Sequence, residues 1–224
     1  MRGISAHGLH ATRYAVISEN RVTGFNEGIV VGHRKTGAYP LTPNLFNNVL
    51  VDNQVGVYVM RSKNPAYLTN VTLPTTLAVL VRVAHSTFYN NEVGLRVQPE
   101  FIRGNGVSVS VDVVNSILAS STPRVDAVNP ISTGGRNNVF YNYTNPPAAA
   151  QGGFGTTLGN TFGSDPQLLT RPSDPRRYAL PVGSPFCTGG RLDTNANPVA
   201  PYTPIDILGA ARPSSPSRGA FQCL

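Results

Sequence analysis

The chain has 224 residues, a formal net charge of +7 and only 13% charged residues, with 22 Gly, 19 Pro and 2 Cys. That length suits one domain with a sizeable core. No apolar run is long enough to span a bilayer, no apolar core follows Met1-Arg2-Gly3 as a secretory signal requires, and no long stretch has amphipathic helical spacing.

From the N-terminus, Gly3 to Val16 reads as incoming coil sequence, which suggests further coils or an N-terminal cap in a longer parent. His7 and His10 lie within it with no local Cys or carboxylate to complete a metal site, so they read as surface histidines. Then one pattern occurs three times, an Asn-rich turn followed by Gly and alternating apolar residues. It reads Phe25-Asn26-Glu27-Gly28-Ile29-Val30-Val31, then Asn53-Gln54-Val55-Gly56-Val57-Tyr58-Val59, then Asn91-Glu92-Val93-Gly94-Leu95-Arg96-Val97. Such a unit cannot bury its apolar face alone and must stack on its neighbours, which predicts a β-solenoid.

The copies align around their glycines. Val22, Leu50 and Phe88 precede Gly28, Gly56 and Gly94 by the same interval; Ile29, Val57 and Leu95 follow directly; Val31, Val59 and Val97 come two further on. Period-two alternation makes these inward ladders and puts Val30, Tyr58 and Arg96 outside. Asn20 and Asn48 precede their glycines equally, and stacked turn asparagines can bond each other while tolerating left-handed φ. Each repeat Gly is expected where the chain needs positive φ or lacks room for a Cβ.

Val107 to Val114 alternates strictly and leads into Asn115-Ser116-Ile117-Leu118, and Asn137-Asn138-Val139-Phe140-Tyr141-Asn142 adds a further unit. The total is about five coils over residues 1–144. The unequal spacing of the repeat glycines implies loops of different length at one corner, where solenoids build binding faces. Residues 145–224 read as linker and C-terminal cap on the same solenoid. Asn145 to Gly163 is an uncharged loop pinned by Phe154, Leu158 and Phe162, and the Pro-rich tail from Arg191 to Pro216 is expected to lie extended along the flank, hiding strand edges.

These repeats resemble those of right-handed parallel β-helix proteins of the pectate-lyase-like superfamily. Asp165-Pro166-Gln167-Leu168, Arg177-Tyr178-Ala179-Leu180, Gly183-Ser184-Pro185, Asp206-Ile207-Leu208-Gly209 with Arg212-Pro213, and Gly219-Ala220-Phe221 are similar to the terminal segment of many secreted bacterial β-helix proteins, where it closes the last coil. Phe186-Cys187-Thr188 departs from the pattern, since relatives usually continue Ser-Pro with Ala, an apolar residue and Asp. The resemblance implies an all-β right-handed parallel β-helix with an irregular Pro/Gly-rich C-terminal cap, in an extracellular or cell-surface protein.

Cys187 and Cys223 are the only cysteines. In a chain that resembles secreted proteins, an even count favours a disulfide tying the tail to the cap, with two unpaired thiols as the alternative. Zinc is not expected from two cysteines without a histidine pair.

Positive charge falls in register. Lys35 and Lys63 stand equally far after Gly28 and Gly56, as do Tyr39 and Tyr67; Arg34 and Arg61 join them, and Arg82, Arg96 and Arg103 extend the row. Cations beside aromatic rings suit an acidic polysaccharide, guanidinium groups pairing carboxylate or sulfate while rings stack on sugar faces. Solvated loop charges are the plainer reading. No nucleic-acid motif is present.

Catalysis is left open. Lyases resembling this fold use Lys or Arg as base, often with calcium held by acidic side chains, and glycosidases need paired carboxylates. This chain has 11 acidic residues, scattered, and shows no evident cofactor. Lyase chemistry would fall to Lys35, Lys63 and Arg61 as base or carboxylate neutraliser, with His33 or His85 as auxiliary acid or base. The expectation is a protein that binds, and in one version cleaves, an acidic polysaccharide; a noncatalytic adhesin-like or assembly module is the alternative. Oligomeric state is not legible.

Overall fold

The computed structural model describes residues 1–7, 14–33, 42–61, 77–97, 107–125, 131–142, 159–190 and 205–223. The first strands are β1 (Arg2–His7), β2 (Tyr14–Ser18), β3 (Arg21–Thr23), β4 (Glu27–His33), β5 (Thr42–Phe46), β6 (Val49–Val51), β7 (Val55–Arg61) and β8 (Leu77–Ala84). They continue as β9 (Thr87–Tyr89), β10 (Val93–Val97), β11 (Val107–Val114), β12 (Ile117–Ala119), β13 (Thr122–Val125), β14 (Ile131–Arg136), β15 (Val139–Tyr141) and β16 (Thr161–Phe162).

These strands form three sheets, ordered β1-β4-β7-β10-β13 (sheet I), β2-β5-β8-β11-β14 (sheet II) and β3-β6-β9-β12-β15-β16 (sheet III). Every strand pairing is parallel. The chain visits I, II and III in turn and then returns to I one layer on. The architecture is all-β and compatible with a parallel β-helix.

The aligned columns are true neighbours. Val22 pairs Leu50 and Leu50 pairs Phe88; Ile29, Val57 and Leu95 form a second column, Val31, Val59 and Val97 a third. Val22, Leu50, Phe88, Leu118 and Phe140 join Ile29, Val57, Leu95 and the sheet II residues Leu45, Val81, Val83, Val111 and Val113 in one core. Phe162 packs against it, its ring stacked on Phe140 with centroids 5.0 Å apart. Val30, Tyr58 and Arg96 share a register and lie apart from that core, but Val30 and Tyr58 are buried with Val55 and Val93.

Two tight corners make the coil. Between sheets II and III the chain turns on Glu19, Asn47, His85, Asn115 and Asn137, at φ of 59, 50, 46, 51 and 55°. Between III and I it turns on Gly24, Asp52, Asn90 and Ser120, at 75, 52, 52 and 49°. The residue after each turning residue belongs to a hydrogen-bonded ladder. Asn20 donates N and Nδ2 to Asn48 Oδ1, Asn48 N donates to Ser86 Oγ, and Ser86 N to Ser116 Oγ. Ser116 N then reaches Asn138 Oδ1, and Asn138 N reaches Asn160 Oδ1. The expectation of a ladder holds, with one correction: left-handed φ belongs to the residue before the ladder asparagine.

The repeat glycines have no left-handed φ among them. A Cβ on Gly3, Gly28 or Gly56 would stand 2.7 Å from the carbonyl oxygen of the next repeat glycine, so lack of room decides these positions. Gly3 belongs to the same column, since β1 pairs β4 with Ile4 opposite Ile29.

The C-terminal residues lie along the flank, on the side of sheet III away from the core. Tyr178, Ala179, Ala220 and Phe221 cover Val49 and Val51, while Leu168, Leu180 and Phe186 cover Ile117, Ala119 and Val139. Where the resemblance implies a segment closing the last coil, these contacts run lengthwise over several turns. Part of the tail expected to lie extended is instead a compact turn: Ile205 bridges Ala211 antiparallel, and Asp206 Oδ1 accepts from the N–H groups of Leu208 and Ala210.

Candidate functional site

The two tight corners leave the third, from sheet I to sheet II, to carry the connections of residues 8–13, 34–41, 62–76, 98–106 and 126–130. Arg34, Lys35, Tyr39, Lys63, Tyr67 and Arg103 fall in these connections, outside the described residues. What the structure does give is the point of departure. His33 and Arg61, the last residues of β4 and β7, are register partners. The segments carrying Arg34 with Lys35 and Lys63 therefore leave adjacent strands at the same level.

Arg96 and Arg82 stand on different sheets. On sheet I the register runs Val30, Tyr58, Arg96, Arg124, and the Arg96 guanidinium lies 5.7 Å from the Tyr58 ring centroid. That is the distance of a cation–π contact, which holds the ring and the charge together on one surface. On sheet II Arg82 sits between Asn44 and Asp112, with Nε 3.7 Å from Asp112 Oδ2. The carboxylate partly neutralises this guanidinium, so Arg82 presents a polar pair.

Six of the eight described carboxylates are engaged within the fold. Glu27 pairs Arg2, Asp112 pairs Arg82 and Asp52 accepts from Asn90 Nδ2 at 2.6 Å. Asp165 and Asp174 each accept a backbone N–H two residues on, and Asp206 accepts three, from Leu208, Ala210 and Gln222. Glu27 and Glu92 do not stack, because Glu27 is in register with Val55 and Val93. Among the described residues no group of three His, Cys, Asp or Glu side chains could hold a metal ion, and no helix is long and apolar enough to cross a membrane.

His85 is placed elsewhere, only 3% exposed at the corner between sheets II and III. Burial, and then the Arg212 guanidinium, hold its imidazole well below its usual range. It is no auxiliary group for chemistry at the sheet I to II corner. Cys187 and Cys223 form a disulfide of S–S 2.11 Å on the flank.

The site that sequence reasoning missed is the buried polar junction of Asn47, His85, Asn115 and Arg212. Arg212 Nη2 donates to Asn47 Oδ1 at 3.0 Å and to the carbonyls of Gly219 and Ala220 at 3.1 and 3.0 Å. The available signal was the position of His85 before ladder residue Ser86, the same as that of Asn47 before Asn48.

Against known proteins, no family model, no curated protein and no solved structure matches the chain.

Proposed function

We propose that the chain is an extracellular or cell-surface, right-handed parallel β-helix protein of the pectate-lyase-like kind, with about five coils, that binds an acidic polysaccharide along the corner between sheets I and II. The observation that carries this reading is the pairing of His33 with Arg61. β4 and β7 therefore end at one level, about 4.8 Å apart, a spacing that suits repeated contact with a linear polyanion, and Arg34, Lys35 and Lys63 are the basic residues that follow these ends in the sequence. Arg96, held over the buried Tyr58 ring on the same sheet, is a guanidinium of the kind that pairs carboxylates. The disulfide fits an oxidising compartment.

A glycosidase needs two carboxylates facing one bond; among the described residues those of Glu27, Asp52, Asp112 and Asp206 are committed to arginine, amide or backbone partners, which supports binding as the first form of the reading. Lyase chemistry through Lys35, Lys63 and Arg61, with His33 as auxiliary group and calcium as cofactor, is the catalytic version of the same site. A noncatalytic adhesin-like or assembly module is the second reading.

The test is retention on a panel of acidic polysaccharides by the native protein and the Lys35→Ala/Lys63→Ala double variant, with ultraviolet absorbance and reducing ends followed with and without calcium. Binding that the double variant loses supports the reading. Absorbance at the ultraviolet band of an unsaturated product adds lyase chemistry; equal retention of both proteins, or none, removes the polysaccharide groove.

A further inference from the structure

We propose that His85 is the acid-sensitive pin of a latch that holds residues 205–223 against the flank of sheet III. The argument is geometric. Three successive turning residues of one corner, Asn47, His85 and Asn115, face the same stretch of the C-terminal segment. Asn47 Nδ2 donates to Ile205 O at 2.9 Å while Asn47 Oδ1 accepts from Arg212, Asn115 O accepts from Gly219 N at 2.7 Å, and Thr87 Oγ1 accepts from Ala220 N at 3.0 Å. His85 is the middle member of this row and its one titratable side chain.

Its surroundings on balance favour the neutral ring. Asn115 Nδ2 lies 3.2 Å from His85 Nε2; in the tautomer with the proton on Nδ1, Nε2 accepts there, and a doubly protonated ring has no acceptor to offer. From the segment side the ring meets the Arg212 guanidinium, beside which a protonated ring adds a second buried positive charge, and the Ser217 backbone, whose hydrogen bond favours the charged ring but is outweighed by burial and Arg212. From the coil side the neighbours Asn47 and Asn115 are uncharged. Opening the latch lets the ring hydrate and protonate at its usual value.

The linkage sign follows. A histidine whose pKa is depressed in the closed state favours closure fully above its free value of about 6.5, and closure weakens as pH falls below it. One proton is involved, so the closing constant drops up to tenfold per pH unit until the closed-state value is passed. Cys223 remains bonded to Cys187, so the segment hinges away on a tether and withdraws Ala220 and Phe221 from Val49 and Val51, leaving Tyr178 and Ala179 in place.

Amide hydrogen exchange by mass spectrometry between pH 7.5 and 5, corrected for intrinsic rates, tests this on the full chain with its disulfide intact. Peptides within 205–223 should lose protection below about pH 6.5, up to tenfold per unit, while those of β7, β8 and β11 keep theirs; His85→Gln, a neutral acceptor, should remove the pH dependence. Should the variant fail to fold, the imidazole resonances of the native protein serve: a ring that titrates near 6.5 without loss of protection at 205–223 overturns the latch. So does acid-induced loss spread evenly over all three sheets.

Discussion

Asn53 donates both its backbone N–H and its side-chain amide to one atom, Asn91 Oδ1, at 3.1 and 2.9 Å. Asn91 repeats the arrangement on Ser121 Oγ, and its own Nδ2 also reaches Leu50 O at 2.9 Å. Replacing Asn91 by Ala strands two buried donors above it and a carbonyl beside it, with a cost of roughly 2–4 kcal/mol. Asn91→Ser keeps an acceptor of the kind Ser121 already provides on the next layer and should cost about half as much. Urea unfolding of both variants checks the order; equal losses would mean that the ladder acts by shape alone.

The glycines divide into two kinds that substitution separates. A Cβ on Gly56 meets Gly94 O at 2.7 Å and Phe88 Cδ1 at 3.0 Å, and the backbone oxygen cannot move away, so Gly56→Ala should destabilise by about 1–3 kcal/mol. Gly24 has φ +75° with nothing within 4 Å of a Cβ, and its column partners are Asp52 and Asn90 at φ 52°. Gly24→Asn should therefore cost no more than about 1 kcal/mol. Thermal unfolding of the two variants side by side gives the comparison.

The ladders were legible because stacking forces chemical sameness at a fixed offset. Val22, Leu50 and Phe88 must fill one column, and Asn48 must present its acceptor to Asn20 in the layer before. The corner insertions were legible for the complementary reason, since tight corners admit no extra residues. What the sequence could not reveal is contact between segments of unrelated pattern. Nothing about Arg212 or Gly219 signals that Asn47 and Asn115 lie beneath them, because that docking is irregular and has no period. The burial of Tyr58 was hidden likewise, as an outward strand position reads as exposed from the alternation alone. For the candidate site, His33 and Arg61 follow from the repeat, whereas the pairing of Arg82 with Asp112 needed the register of β8 and β11.

Cys187 and Cys223 are 36 residues apart in sequence, and each packs beside the cluster of Leu168, Leu180 and Phe186. Their bond joins the two limbs of the flank segment. In the chain-entropy account a loop of that size adds about 3–4 kcal/mol by restricting the unfolded chain. Cys187→Ser/Cys223→Ser should lower the urea midpoint accordingly, and reductant should shift the native protein while leaving the variant unchanged. A reductant-insensitive native midpoint would show that docking alone holds the segment.

Arg212→Met tests the same segment from its polar side. Methionine can occupy much of the buried volume but offers no donor, so Asn47 Oδ1 and the carbonyls of Gly219 and Ala220 lose their guanidinium partner. Docking of 205–223 should weaken by roughly 2–4 kcal/mol at neutral pH, since removing one member of a buried polar junction leaves the others desolvated. The substitution also removes the positive charge that helps to depress the His85 pKa, so the imidazole should titrate closer to its usual value. With less depression there is less proton linkage, and the variant's segment should be looser than the native one at pH 7.5 yet change less between pH 7.5 and 5. Hydrogen exchange over 205–223, with the His85 resonance followed in parallel, reads both effects. A variant that loosens but keeps the full native pH dependence would show that burial alone, without Arg212, sets the His85 response.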